Sequence, residues 1–185
     1  MLRLYRFLLI SAIGVVTYSC QPTASDTPLR MEDQFNTVVV ETETIVTGQM
    51  VYVPVYSHVY QRNVNNPVMQ LSATLSFRNT DLENSLILTA VRYYDSQGEL
   101  VRNALERPIE LPALASVDYL VEAEDTSGGI GANFIVEWVA ATTVTEPVIE
   151  ALMIATTGNQ GISFISPGRV IQQQGTPVAA PSDSP

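Results

Sequence analysis

Short segments in which apolar and polar residues alternate run through most of this sequence, and they restrict its fold more than any other feature. In the clearest segment, residues 70–78, every second residue from Leu71 to Phe77 is apolar. Successive side chains of a β-strand point to opposite faces, so a period of two indicates a half-buried strand. With turn residues between such segments, we predict an all-β, Ig-like β-sandwich of about seven to nine antiparallel strands over residues 35–172.

The stretch from Asp125 to Trp138 is the strongest single signal for this fold. Three glycines between residues 128 and 131 indicate a turn, because glycine tolerates positive φ angles that other residues resist. The apolar strand behind them places Phe134, Val136 and the only tryptophan on one face, which we predict to lie in the core. A dinucleotide-binding loop would need a helix at this position, so the strand excludes one.

Proline, glycine and β-branched residues predict the conformation of four further segments. Residues 35–41 are a β-branched run and are expected to form a strand. Pro54 lies inside the alternating segment 50–60, so we expect that strand to be an edge strand or to be bulged there. Residues 107–112 begin and end close to prolines and are expected to be extended but unpaired. Residues 95–98 end in glycine and predict a hairpin turn.

The alternating segment 50–60 also suggests a surface for a partner. Its valines share one face, so its aromatic residues share the other. An exposed aromatic row on an edge strand could contact a protein or a glycan. The alternative is that the row packs beneath a loop. The candidate contact residues are Tyr52, Tyr56, His58 and Tyr60.

The N-terminus has the features of an export signal. Two arginines precede a ten-residue apolar run, which is short for a membrane span and typical of a signal peptide. The run leads to Ser19 and Cys20, which resemble a bacterial lipobox. That resemblance implies a signal peptide over residues 1–19, lipidation of Cys20 and a membrane as partner through the attached lipid. We therefore expect a periplasm-facing location in the bacterial cell envelope, and Gln21 favours the outer membrane over the inner membrane.

The composition of the two ends and the overall charge restrict the partners. Residues 20–34 are polar and carry two prolines, which predicts a flexible stalk, and residues 173–185 are expected to be a disordered tail. All nine basic residues are arginines. Without Arg3 and Arg6 the chain keeps 9 − 2 = 7 arginines against 19 acidic residues, a net charge of −12. Such a surface repels phosphate backbones, so nucleic acid is not an expected partner.

The sequence offers few groups for catalysis. His58 is the only histidine, and its neighbour Ser57 would point to the opposite face of a strand. The Gly-x-Ser-x-Gly motif is absent. One histidine and a lipidated Cys20 do not suffice for an ordinary zinc or copper site. We expect no cofactor and no enzymatic activity, with an enzyme of unassigned class as an alternative.

Calcium needs only oxygen ligands, so the acidic residues around the glycine turn are a second alternative. The spacing of an EF-hand is absent, and the segment matches a glycine-rich calcium repeat poorly and once only. A calcium- or carbohydrate-binding domain would use this turn. The candidate ligands are Glu122, Glu124, Asp125 and Asn133.

Several segments together resemble an uncharacterised bacterial family of exported proteins and lipoproteins, the domain of unknown function DUF3124. They span most of residues 48–172 in matching order and spacing. The resemblance implies an exported, often lipid-anchored small β-domain and no particular activity. With the residue-level observations it predicts a non-catalytic, lipid-anchored binding or structural module. The segments are 51–58, 71–80, 93–95, 128–138 and 160–164.

Overall fold

A computed structural model describes residues 30–41, 44–61, 65, 67–156 and 161–174. These residues contain no α-helix, and a short 3-10 helix, Met31–Asp33, precedes the strands. The strands are β1 (Thr47–Pro54), β2 (His58–Tyr60), β3 (Val68–Gln70), β4 (Ser72–Arg78), β5 (Leu86–Tyr94), β6 (Leu100–Asn103), β7 (Ile109–Leu111), β8 (Ser116–Val121), β9 (Asn133–Ala140), β10 (Val148–Ala155), β11 (Ile162–Pro167) and β12 (Arg169–Gln174).

Every pairing among these strands is antiparallel. The first sheet has the order β12-β1-β9-β5-β6, and β7 pairs with β5 beside β6. The second sheet has the order β11-β10-β4-β8, and β2 and β3 form a separate hairpin. The buried faces of the two large sheets contribute to one hydrophobic core. The predicted all-β class is confirmed and the arrangement is that of a sandwich, whereas the Ig-like topology stays a prediction. The described residues form twelve strands, more than the seven to nine predicted.

Strand β9 lies in the middle of the first sheet, between β1 and β5. Phe134 and Val136 are 0% exposed and Trp138 is 1% exposed, which confirms the predicted core face. Strand β4 also behaves as its pattern predicts, because Ala73, Leu75 and Phe77 are buried. The expected hairpin turn at residues 95–98 joins β5 to β6, and its glycine has a φ of 83°.

The expectation for Pro54 was wrong. Strand β1 is an inner strand, paired with β12 on one side and β9 on the other. Proline is tolerated because Pro54 is the last residue of β1, beyond the final pair of β1 with β12, Tyr52 with Arg169. The irregularity in that pairing lies between Met50 and Val51.

Two other local expectations were also wrong. Residues 107–112 were expected to be unpaired, yet Ile109–Leu111 form β7 against β5, because the prolines stand outside the paired residues. Residues 35–41 do not form a strand in the part that is described. Only an isolated bridge between Thr37 and Ile109 is present. The residue pattern was compatible with a strand, but pairing is limited to that single point.

The segment before this bridge belongs to the domain and not to a free stalk. The stalk was expected to reach residue 34, but Met31 is 1% exposed within the core and Phe35 packs against it. Arg30 forms an ion pair with Glu106 at 3.1 Å. We call residues 30–38 the N-terminal strap. The disordered tail was expected to begin at residue 173, but Gln173 and Gln174 pair with β1 at the end of β12. The predicted signal peptide, Cys20, most of the stalk and residues 175–185 of the tail lie outside the described residues. Among those described, no helix is long and apolar enough to cross a membrane.

The sandwich has two open sides, each bounded by the outermost strands of the two large sheets. On one side the free edges belong to β6 and β8, and we call it the β6–β8 side. On the other they belong to β11 and β12, consecutive strands joined at Gly168, and we call it the β11–β12 side. The two sides differ in their charge and in whether the N-terminal strap covers them.

Candidate functional site

The predicted aromatic row is divided in the structure. The chain leaves β1 after Pro54 and bends before His58, so Tyr52 and Tyr60 belong to different sheets. Tyr56 packs edge-on against Phe164 with ring centroids 5.7 Å apart, and His58 packs edge-on against Tyr60 at 5.9 Å. Tyr60 is 72% exposed, whereas the other three aromatic residues are half-buried. Only Tyr60 therefore presents a ring freely at the surface.

Ser57 and His58 were expected to point apart, which was wrong. A bend at Ser57 interrupts the strand and brings the Ser57 Oγ within 3.1 Å of the His58 Nδ1. The Ser57 hydroxyl donates to the carbonyl of Gly129 at 3.0 Å, so its proton is directed away from the histidine. With that bond in place, a hydrogen bond between Ser57 and His58 requires the tautomer in which Nδ1 carries the proton. A general base needs the opposite arrangement, in which the serine donates to the ring.

The glycine turn is the centre of a network of hydrogen bonds. Besides its side-chain bond, Ser57 donates its backbone N–H to Gly129. Ser96 donates from its hydroxyl and its backbone N–H to the carbonyl of Gly128, and the Ser96 Oγ accepts from the N–H of Gly131. These bonds join the turn to the β5–β6 turn and to the connection between β1 and β2. Their role is to fix three loops against one another.

Gly128 and Gly129 are required for different physical reasons. A Cβ atom at Gly128 would lie 2.0 Å from the hydroxyl of Tyr93, a side chain that is 0% exposed. Gly129 has a φ of 72°, a left-handed conformation that costs other residues about 1–2 kcal/mol. Burial raises the pKa of Tyr93 to about 12, so this phenol is neutral at physiological pH.

Arg102 and Asp125 form an ion pair beside this turn. The guanidinium of Arg102 donates to Asp125 Oδ2 and lies 5.4 Å from the centre of the Tyr93 ring. Ser127 donates to Asp125 Oδ1 from its hydroxyl and its backbone. Partial burial opposes ionisation of Asp125, but the bonds from Ser127 and Arg102 outweigh it and lower the pKa of the carboxyl. Asp125 is therefore a structural carboxylate.

The candidate calcium ligands are arranged differently from a binding site. Glu122 and Glu124 are exposed, Asp125 already accepts from Arg102 and Ser127, and Asn133 pairs with Tyr94 and Pro54 within the first sheet. Within the described ranges, no group of three or more His, Cys, Asp or Glu side chains could hold a metal ion. Calcium binding stays an untested alternative.

A cavity of about 650 Å³ opens on the β6–β8 side. One wall is formed by consecutive residues 102–104 at the end of β6, and the opposite wall by consecutive residues 118–122 of β8 and the turn behind it. The strap closes part of the opening with Arg30, Glu32 and Gln34. The cavity therefore lies between the strap, the end of β6 and the strand β8.

This cavity was not predicted from the sequence. Its walls are brought together from three distant parts of the chain, and the ion pair Arg30–Glu106 alone joins residues 76 positions apart. The available signal was the alternation in β8, where Asp118 and Leu120 are exposed and Val117 and Val121 are buried. That pattern identifies a strand but does not show that it stands at an edge.

Comparison with known proteins gives a matching family but no function. The family model described as "Protein of unknown function (DUF3124)" matches residues 48–171. No protein of curated function matches the chain. A crystal structure of Thermotoga maritima 1070 has a TM-score of 0.38 and 10% sequence identity over 65% of this chain and 92% of that chain. A likeness at this level supports no argument about function.

Proposed function

Since the chain belongs to the DUF3124 family, whose description assigns no activity, we propose from its own residues that it is a non-catalytic, lipid-anchored binding module of the bacterial cell envelope. The observation that carries the non-catalytic part is the bond from Ser57 to Gly129. Ser57 is 1% exposed and its proton is held by a backbone carbonyl, so it is neither accessible to a substrate nor activated by His58.

The binding part of the proposal is supported by the two sides that end in free strand edges. Edge strands expose backbone N–H and C=O groups that can pair with another chain. The polar groups around the glycine turn hold loops together, whereas the strand edges border open surface. The domain is therefore better suited to contact a partner than to transform a substrate.

The anchoring part is supported by the apolar run that leads to Cys20 and by the polar, proline-containing residues after it. Acyl chains on Cys20 would hold the protein at a membrane surface. Only nine residues lie between Cys20 and Arg30, the first described residue of the strap. A chain of that length reaches at most about 35 Å, so the domain would stay close to the bilayer.

Two measurements test these parts separately. Intact mass spectrometry of the protein from its native host should give a chain that starts at a lipid-modified Cys20, and Cys20→Ser should move the protein from the membrane fraction to the soluble fraction. Ser19→Ala, which keeps a small residue before the cysteine, is the control and should stay membrane-bound. An unmodified Cys20 in the mature protein contradicts the anchor.

For the non-catalytic part, a fluorophosphonate probe reacts with activated serine nucleophiles. We expect no labelling of the native protein. Labelling at Ser57 that disappears in His58→Ala would overturn the proposal, because it would require a nucleophile activated by the only histidine.

A further inference from the structure

The cavity on the β6–β8 side lies along the edge of β8. Successive side chains of a strand point to opposite faces, so a cavity above one face would touch every second residue. This cavity contacts each of the residues 118–122 in turn, and each of the residues 102–104 on the opposite wall. It therefore lies between the free edges of the two sheets.

We propose that the free edge of β8 binds an extended, basic peptide segment that occupies this cavity and adds a strand to the second sheet. The inference rests on the proposed binding function and specifies its ligand. Among the described strands, β8 pairs only with β4, so its outer backbone groups have no strand partner. Strand β8 has six residues and β6 has four, so β8 is the longer template.

The charges around the cavity determine which peptide fits. Five carboxyl side chains and two guanidinium groups line it, which gives 2 − 5 = −3. The cation of Arg102 is paired with Asp125, and that of Arg30 with Glu106. Within the described chain, Asp118 and Glu122 have no ion-pair partner, and both are exposed. Two carboxylates at the edge of β8 are thus available to a cationic ligand. The mature chain's negative charge would also repel an acidic peptide.

The same edge offers apolar contacts for the residues between the basic ones. Tyr119 is half-buried in the cavity wall, with its ring edge-on to Phe134 at 5.9 Å, and Leu120 is 40% exposed. A guanidinium over the Tyr119 ring would gain a cation–π contact. At about 650 Å³ the cavity is within the range of roughly 300–1,000 Å³ typical of ligand sites. A short segment that alternates basic and apolar residues matches this surface.

The test measures binding of a blocked nonapeptide of alternating arginine and valine to the purified full-length protein in neutral detergent, by titration calorimetry. We expect saturable binding that weakens with added salt. Asp118→Lys/Glu122→Lys should weaken it at least tenfold. The matched control Glu83→Lys/Glu99→Lys makes the same change in net charge at exposed residues outside the cavity and should bind as the native protein does.

Two altered peptides separate strand pairing from simple charge attraction. A peptide with glutamate in place of arginine should not bind. N-methylation of alternate amides removes hydrogen-bond donors from one edge and should lower the affinity at least tenfold. The proposal is overturned if the arginine peptide does not bind, if both double variants weaken it equally, or if the N-methylated peptide binds as tightly as the parent. Such a failure, with a lipidated Cys20 and an unlabelled Ser57, would reject this ligand and leave the proposed module intact.

Discussion

The two open sides of the sandwich have the same architecture and opposite chemistry. On the β6–β8 side the strand edges are lined by carboxylates and arginines and are partly covered by the N-terminal strap. Residues 162–174 of the β11–β12 side contain one charged residue, Arg169, and expose aliphatic side chains. These are Ile162 at 39%, Ile165 at 58%, Val170 at 39% and Ile171 at 53% exposure.

This difference shows that the fold alone does not determine what a free edge can contact. Folded proteins protect edge strands from pairing with other chains by placing charged side chains on them or by covering them with another segment. The β6–β8 side has both charged side chains and a covering segment, and its negative charge would attract a cationic peptide. The described part of the β11–β12 side carries a single charge, that of Arg169, and exposes aliphatic side chains. Stability and ligand choice should therefore depend on different residues on the two sides, and the following variants test that separation.

The largest effect is expected at the strap. Met31→Ala removes a side chain that is 1% exposed, which should lower the free energy of unfolding by about 3 kcal/mol, as for other buried methionines. Ile165→Ala on the β11–β12 side is the control and should change it by less than about 0.5 kcal/mol, because Ile165 is 58% exposed. Urea unfolding measures both. Equal losses would show that the strap does not stabilise its side.

A smaller loss is expected in the glycine turn. Gly128→Ala would place a Cβ 2.0 Å from the Tyr93 hydroxyl, and such overpacking should cost about 2 kcal/mol. Gly131→Ala lies in the same turn, where the nearest atom is the Ser96 Oγ at 3.3 Å, and should cost less than about 1 kcal/mol. Thermal unfolding of the two variants compares them. If Gly131→Ala lowered the stability more than Gly128→Ala, close packing against Tyr93 would not explain why residue 128 is a glycine.

The two arginine pairs of the β6–β8 side should differ in strength. Arg102→Met removes a partly buried ion pair and a cation–π contact, and should cost about 1 kcal/mol. Arg30→Met breaks a pair whose side chains are 67% and 65% exposed, so it should cost less than about 0.5 kcal/mol. High salt should reduce the cost of Arg30→Met more than the cost of Arg102→Met. Equal costs in chemical unfolding would contradict this ranking.

The smallest effect concerns pH. The pKa of Asp125 is lower in the folded protein than its ordinary value of 3.8, so the unfolded chain binds more protons in acid. Its contribution is present above about pH 4 and is lost as the pH falls through the folded pKa. Asp125→Asn should therefore flatten the acid part of a plot of unfolding free energy against pH. Part of the slope should remain because backbone N–H groups of Thr145, Glu83 and Asn84 hold the pKa of Asp81 well below its usual range. An unchanged profile would contradict the ion pair.

The strands could be predicted wherever burial depends on local alternation. Phe77 and Trp138 follow their period-two patterns, because one face of each strand meets the core. The position of a strand within a sheet could not be predicted. Pro54 suggested an edge, but pairing with β12 simply ends before it. That result depends on residues 169–174, more than a hundred positions away.

The candidate site was harder to predict for the same reason. The alternation around His58 placed Ser57 on the opposite face, and a bend at Ser57 reversed that geometry. Asp125 was identified as a ligand candidate, but its partner Arg102 lies on β6, 23 residues away. Charge and period are local properties, whereas a cavity between two sheet edges arises only when the sheets are packed.

Hydrogen exchange of the full-length protein, with and without the arginine–valine peptide, tests the central claim most directly. The account predicts that backbone amides of β8 become more protected when the peptide is bound, while those of β11 and β12 do not change. Protection confined to β11 and β12, or to no strand edge, would contradict the assignment of the β6–β8 side as the binding side.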